Sequence, residues 1–85
     1  GLIMYNRITR ADVETRIEYA NYLLKESDSK RTLVFMRYND YYKIAERRSD
    51  LDPYTVAEDR YFNGSLRECY TWLIGFNRAL QLTVK

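Results

Sequence analysis

The apolar positions follow a helical rhythm near both ends of the chain and an alternating one between them. Val13, Ile17, Ala20 and Leu24 recur at i, i+4, i+7 and i+11, so they share one face of an amphipathic helix running roughly from Thr9 to Glu26. Thr9 is placed to cap it, Asp12 to return the bond three residues on, and Ile8 to pack against Val13, a capping box with a hydrophobic staple. Asp12 and Arg16 read as an i,i+4 ion pair on its solvent side. Glu26-Ser27-Asp28-Ser29-Lys30 has no apolar residue and ends the helix.

Arg31 to Tyr38 is a β-branched and aromatic run of strand length, with Leu33 and Phe35 on one face and Val34 and Met36 on the other. Asn39-Asp40 supplies turn residues, and from Tyr41 to Arg48 the residues Tyr42 and Ile44 alternate with Lys43 and Ala45, so the two runs predict a hairpin. Ser49-Asp50-Leu51-Asp52-Pro53 breaks the pattern. Tyr54 to Phe62 is expected as a third strand from the alternation of Tyr54 and Val56, with a short helix capped at Asp52-Pro53 as the alternative. Asn63-Gly64 closes that segment, and Ser65-Leu66-Arg67-Glu68 is a second capping box. Cys69, Leu73, Phe76 and Leu80 then repeat the spacing of the first helix. The order predicts a single small α+β domain, α-β-β-(β)-α, spanning residues 1–85, with two helices packed on one face of a small antiparallel sheet. Residues 1–5 are expected to be a flexible or added end, with Met4 a candidate natural start.

Composition changes the picture mostly by exclusion. A chain of 85 residues has room for one modest core, and a mean hydropathy of −0.58 makes that core thin, so burial against a partner is an expected part of its stability. The chain has no histidine, which removes the imidazole general base, the Ser-His-Asp and Cys-His nucleophiles and histidine-containing zinc sites. Cys69 is the single cysteine, so neither an internal disulfide nor a thiolate cluster can form, and its place in the helical pattern predicts an inert core thiol. Gly1, Gly64 and Gly75 are too scattered for a phosphate-cradling loop. Asp50, Asp52, Glu58 and Asp59 match no oxygen-ligand loop and read as a solvated acidic segment. No catalytic residue, metal site or cofactor site is expected, and the reading is of a non-enzymatic protein. Without an apolar run of about 20 residues or a visible signal peptide, and with an unpaired cysteine, a cytoplasmic location with no membrane contact is expected.

Two features remain that bear on function. Residues 30–48 carry a local charge of +4 and residues 49–59 a local charge of −4, so a basic hairpin precedes an acidic segment. The nine tyrosines are too many for the core to absorb with every hydroxyl satisfied, so some must reach the surface. Together they nominate the hairpin as a partner-binding surface, with Tyr38, Tyr41 and Tyr42 as aromatic anchors and Arg37, Lys43, Arg47 and Arg48 steering an acidic protein partner. Nucleic-acid binding by the same hairpin is the alternative, through phosphate contacts and base stacking. A third reading is a homo-oligomer. Trp72, Gly75 and Ala79 lie beside the apolar face of the second helix, and the two small residues permit either close packing on the sheet or first helix or a helix-mediated dimer seam.

Asn6-Arg7-Ile8-Thr9 and Gly64-Ser65-Leu66-Arg67-Glu68-Cys69-Tyr70 resemble the ends of small phage and prophage proteins, which begin near Asn-Arg-Ile-Thr and enter their last helix through a similar step. The resemblance covers the two helices and implies a phage or mobile-element accessory protein that binds a host or phage factor. The element order also resembles that of double-stranded-RNA-binding domains, which hold phosphates with lysines at the start of the second helix; here that turn reads Ser65-Leu66-Arg67-Glu68.

Overall fold

The computed structural model describes residues 7–48 and 60–83, and the backbone of Arg60 without its side chain. In chain order these form α1 (Arg10–Glu26), β1 (Arg31–Arg37), β2 (Tyr42–Arg48), β3 (Arg60–Gly64) and α2 (Leu66–Thr83). The strands make an antiparallel meander in the order β1-β2-β3, and this is the small α+β domain that the periodicities predict. The expected third strand is present from Arg60 and runs on through Asn63-Gly64; Tyr54–Asp59, the acidic segment and residues 1–5 lie outside the described residues.

Both helices start as their sequences dictate. Thr9 N–H donates to Asp12 Oδ2 at 2.8 Å while Asp12 N–H donates to Thr9 Oγ1 at 3.2 Å. Ser65 and Glu68 repeat the same reciprocal pair at 2.8 and 3.2 Å. Two orphan amides are satisfied at each helix start, which fixes where the chain enters the helix layer. α1 ends in a Schellman motif, with Ser29 N–H donating to the Leu24 carbonyl at 2.9 Å and Asp28 N–H to the Lys25 carbonyl at 3.0 Å. Asp28 takes the left-handed conformation this requires, at φ 59°. Gly64 is needed for close approach at the other joint, since a Cβ there would lie 2.9 Å from both Glu68 Oε1 and the Phe62 ring.

The core lies between the two layers. Val13, Ile17, Ala20 and Leu24 of α1 meet Leu33 of β1, Ile44 of β2 and Cys69 and Leu73 of α2, all buried. Phe76 and Leu80 continue the α2 face but are only half-buried, and Asn77 is buried in their stead at 4% exposure. Its Nδ2 donates to the Arg16 carbonyl at 3.2 Å, and its Oδ1 has no hydrogen-bond partner among the described residues. Arg16 does not pair with Asp12. Its guanidinium lies over the Tyr70 ring, 5.4 Å from the centroid, and donates to the Tyr70 hydroxyl at 3.3 Å. Asp12 is occupied by the cap, and the ion pair on α1 is Arg10–Glu14 at 3.3 Å. Gln81 Nε2 donates to the Tyr19 hydroxyl at 2.6 Å. Arg16 meets Tyr70 and Tyr19 meets Gln81 further along both helices, so α1 and α2 run side by side in the same direction.

Gly75 and Ala79 pack on neither the sheet nor α1. Both are exposed, and a Cβ at Gly75 would find nothing within 4 Å.

Candidate interaction surface

Strand alternation sorts the residues of the hairpin. Leu33 and Ile44 point into the core, and Phe35 and Tyr42 pack at its edge, so Thr32, Val34, Met36, Lys43, Ala45 and Arg47 stand on the face away from the helices. Tyr38 and Tyr41 continue that outer face past the strand ends. Tyr38 N–H donates to the Tyr41 carbonyl at 2.8 Å, closing the Asn39-Asp40 turn and setting the two side chains directly opposite one another. Their rings stack with centroids 5.0 Å apart and planes within 8°. The Lys43 ammonium lies 5.9 Å from the Tyr38 centroid, within cation–π range. Tyr38 is 41% and Tyr41 37% exposed, and with Arg37, Asn39 and Asp40 they line an open concavity of about 460 Å³.

Of the seven hairpin residues singled out from the sequence, the fold gathers Tyr38, Tyr41, Lys43 and Arg47 on the outer face. Arg37, Tyr42 and Arg48 have the opposite parity. Tyr42 stacks on Phe35 at 5.2 Å and belongs to the rim of the core; Arg48 is half-buried and already engaged; Arg37 is exposed. Half-buried Val34 and Met36 are part of the outer face and were missed, although parity alone would have placed them beside Tyr38. Among the described residues Asp40, in the turn, is the one carboxylate lining the concavity, and Lys43 and Arg47 make no ion pair. The tyrosine surplus does reach solvent: Tyr22, at 57% exposure, joins Tyr38 and Tyr41.

The helix-facing side of the sheet carries a buried carboxylate. Glu46 follows Tyr42 and Ile44 in inward parity and is 5% exposed. The Tyr61 hydroxyl donates to Glu46 Oε1, and Arg31 Nε lies 3.6 Å from the same oxygen. Tyr61 reaches it because β3 is irregular opposite Ile44 and Ala45: Ile44 pairs with Phe62 and Ala45 with Arg60, leaving Tyr61 as the extra residue of a bulge. Tyr61 and Phe62 both turn toward α2, where they pack with Trp72 and Phe76. Burial, and then the bond to Glu46, push the Tyr61 phenol above its ordinary value.

Cys69 is buried, and burial pushes its thiol up to about 11, as an inert core thiol requires. Among the described residues no group of histidine, cysteine and carboxylate side chains has the arrangement of a metal site, and no helix is long and apolar enough to cross a membrane. Comparison with protein families, with characterised proteins and with solved structures finds no match.

Proposed function

We propose that this chain is a small non-enzymatic binding module, an accessory protein of a phage or other mobile element, that occupies an acidic surface of a protein partner with the outer face of its hairpin. The observation that carries the reading is the exposed, mutually stacked pair Tyr38 and Tyr41 with Lys43 beside it and Arg47 further along the same face. Each ring restricts the other, so the large contact area is ordered before the partner arrives and little side-chain entropy remains to be lost. Lys43 and Arg47, which make no ion pair among the described residues, favour encounter with a negatively charged surface. The mobile-element origin rests on the resemblance at the two helix starts. A non-catalytic role fits a thiol held protonated by burial and a buried carboxylate already bonded to Tyr61.

The test compares the wild type with a Tyr38→Ala/Tyr41→Ala variant and a Lys43→Glu/Arg47→Glu variant in affinity capture from host lysate. Capture of a protein by the wild type, lost in both variants while far-UV circular dichroism is unchanged, is the expected result. Fluorescence anisotropy with labelled duplex DNA, single-stranded DNA and duplex RNA runs alongside. Binding that weakens steeply with salt and vanishes in the charge-reversed variant would replace the protein partner by nucleic acid.

A further inference from the structure

Between α1 and α2 lies a cavity that neither the core nor the hairpin uses. Arg16 and Tyr19 line it from α1, and Ile74, Asn77, Arg78 and Gln81 from α2, around a volume of about 290 Å³. That is roughly ten waters' worth at ~30 Å³ each, more than a bare inorganic oxyanion fills and near the lower end of small-molecule sites. Helix periodicity builds it. Tyr19 follows Arg16 at i+3 on α1, and Ile74, Arg78 and Gln81 recur at i, i+4 and i+7 on α2, so each helix contributes a stripe. Two hydrogen bonds tie the walls together: Asn77 Nδ2 donates to the Arg16 carbonyl at 3.2 Å, and Gln81 Nε2 to the Tyr19 hydroxyl at 2.6 Å. The site is thus largely formed before anything enters it.

Its polar groups make two different demands. Arg16 is half-buried and gives one N–H to the Tyr70 hydroxyl, which leaves the rest of its guanidinium fork for an anion. Arg78 is exposed and makes no ion pair among the described residues, and no described carboxylate lines the cavity. Two guanidiniums without a counter-charge select an oxyanion. Asn77 demands the reverse. It is 4% exposed, its Nδ2 is taken by α1, and its Oδ1 has no partner among the described residues. Turning the amide over would set Oδ1 against the Arg16 carbonyl, acceptor against acceptor, so the orientation is fixed. The polar atom that Asn77 holds unused therefore needs a donor, and leaving it without one is costly.

We propose that this cavity binds a small hydroxylated organic anion, with its carboxylate or phosphoryl oxygens between Arg16 and Arg78 and its hydroxyl donating to Asn77 Oδ1. The donor is a hydroxyl and not an ammonium, because both guanidiniums repel a positive group. Ile74 and the Tyr19 ring give the carbon skeleton apolar walls. Oδ1 is shut off from bulk solvent, so the hydroxyl reaches it as the exposed Arg78 and Gln81 side chains change rotamer on binding.

The experiment is a heteronuclear NMR titration of the full chain with two pairs of probes, each to about 20 mM. Malate is paired with succinate, and glycerol 3-phosphate with propyl phosphate; within a pair the anionic group is the same and only the first member carries hydroxyl. Malate or glycerol 3-phosphate is expected to shift the amides of Arg16, Tyr19, Asn77 and Arg78 saturably, with a Kd below about 1 mM. The tighter of the two assigns the oxyanion to carboxylate or phosphoryl. Its counterpart without hydroxyl should bind ~tenfold or more weakly. Asn77→Leu should erase that preference; it leaves no orphan behind, since the Arg16 carbonyl keeps its helical partner. Arg78→Gln, at an exposed position, should weaken both members of the pair ~tenfold and keep the preference. No saturable shift with either pair, a hydroxylated probe bound no better than its counterpart, or a preference that survives Asn77→Leu overturns the proposal. If Asn77→Leu loses its dispersed spectrum, the wild-type preference and the Arg78→Gln loss decide together. The Lys43→Glu/Arg47→Glu variant should bind these probes like the wild type, which separates the cavity from the hairpin and from general attraction to a basic chain.

Discussion

The two outer strands of the sheet carry the same backbone chemistry and are held to the helix layer in different ways. At β1 a single amide of α1 satisfies the outward N–H and carbonyl of Leu33, while the outward groups of Phe35 and Arg37 have no partner among the described residues. At β3 the helix instead holds the strand through a bulge that turns Tyr61 and Phe62 into an aromatic cluster. Covering an edge removes it as a template for another chain, whereas packing only the face of a strand stabilises it and leaves the template in place. The difference is that a polar side chain ties β1 to the helix layer, whereas aromatic rings tie β3 to it.

Removing the cover is the most severe way to break the comparison. Asn21→Leu keeps the approximate shape of the side chain but leaves the half-buried N–H and carbonyl of Leu33 without partners. The expected loss is about 2–3 kcal/mol, from two backbone groups at roughly 1 kcal/mol or more each. For a domain of this size that lowers Tm by about 10 °C or more in a calorimetric scan. A Tm within a degree or two of the wild type would show that the amide contributes little to sealing β1.

On the β3 side the corresponding change is Tyr61→Phe, which keeps the ring against Trp72 and Phe76 and removes the donor to Glu46. Glu46 retains Arg31 at 3.6 Å, so the expected cost is smaller, about 1–2 kcal/mol by chemical denaturation. Tyr61 also gives this side a pH signature. Its phenol is held above the ordinary value of 10 by burial and by the bond to Glu46, so the folded state binds the proton more tightly than the unfolded one. The stabilisation is complete below pH 10 and is lost as pH rises through the raised folded value. Tyr61→Phe should therefore flatten the alkaline limb of the stability profile, and an unchanged slope would disconnect the phenol from it.

The sheet and helices were legible because their signals are local and periodic. Thr9 and Ser65 lie three residues before carboxylates at the heads of apolar faces, and the parity of Leu33, Phe35, Tyr42 and Ile44 sets the strand faces. The same parity extends to Glu46, and it separates Tyr41 from Tyr42 within the candidate site. What lay outside the sequence pattern depends on contacts distant along the chain. Asn21 reads as an ordinary polar position of α1, because its work is done on a strand twelve residues away. The bulge at Tyr61 violates the alternation from which strands are recognised, so its turn toward α2 followed only from the pairing of β2 and β3. Arg16 likewise left its expected neighbour Asp12, because the cap had taken that carboxylate and Tyr70 offered both a ring and a hydroxyl.

The mildest test concerns the joint that fixes where β3 passes into α2. Ser65→Ala removes the acceptor for the Glu68 N–H, and loss of such a cap costs about 1 kcal/mol. The Glu68 carboxyl is held below its ordinary value of 4.5 first by the Ser65 N–H and then by the Ser65 side chain. A lowered folded value means that the stabilisation is fully present above pH 4.5 and disappears as pH falls through the lowered folded value. Because the larger of the two bonds comes from the backbone, Ser65→Ala should soften the acid limb only in part, whereas Glu68→Gln should abolish this component while leaving the alkaline limb set by Tyr61 unchanged. Equal acid profiles for the two variants would place the interaction in the hydroxyl instead of the amide, and the helix start would then depend on a different one of its two reciprocal bonds.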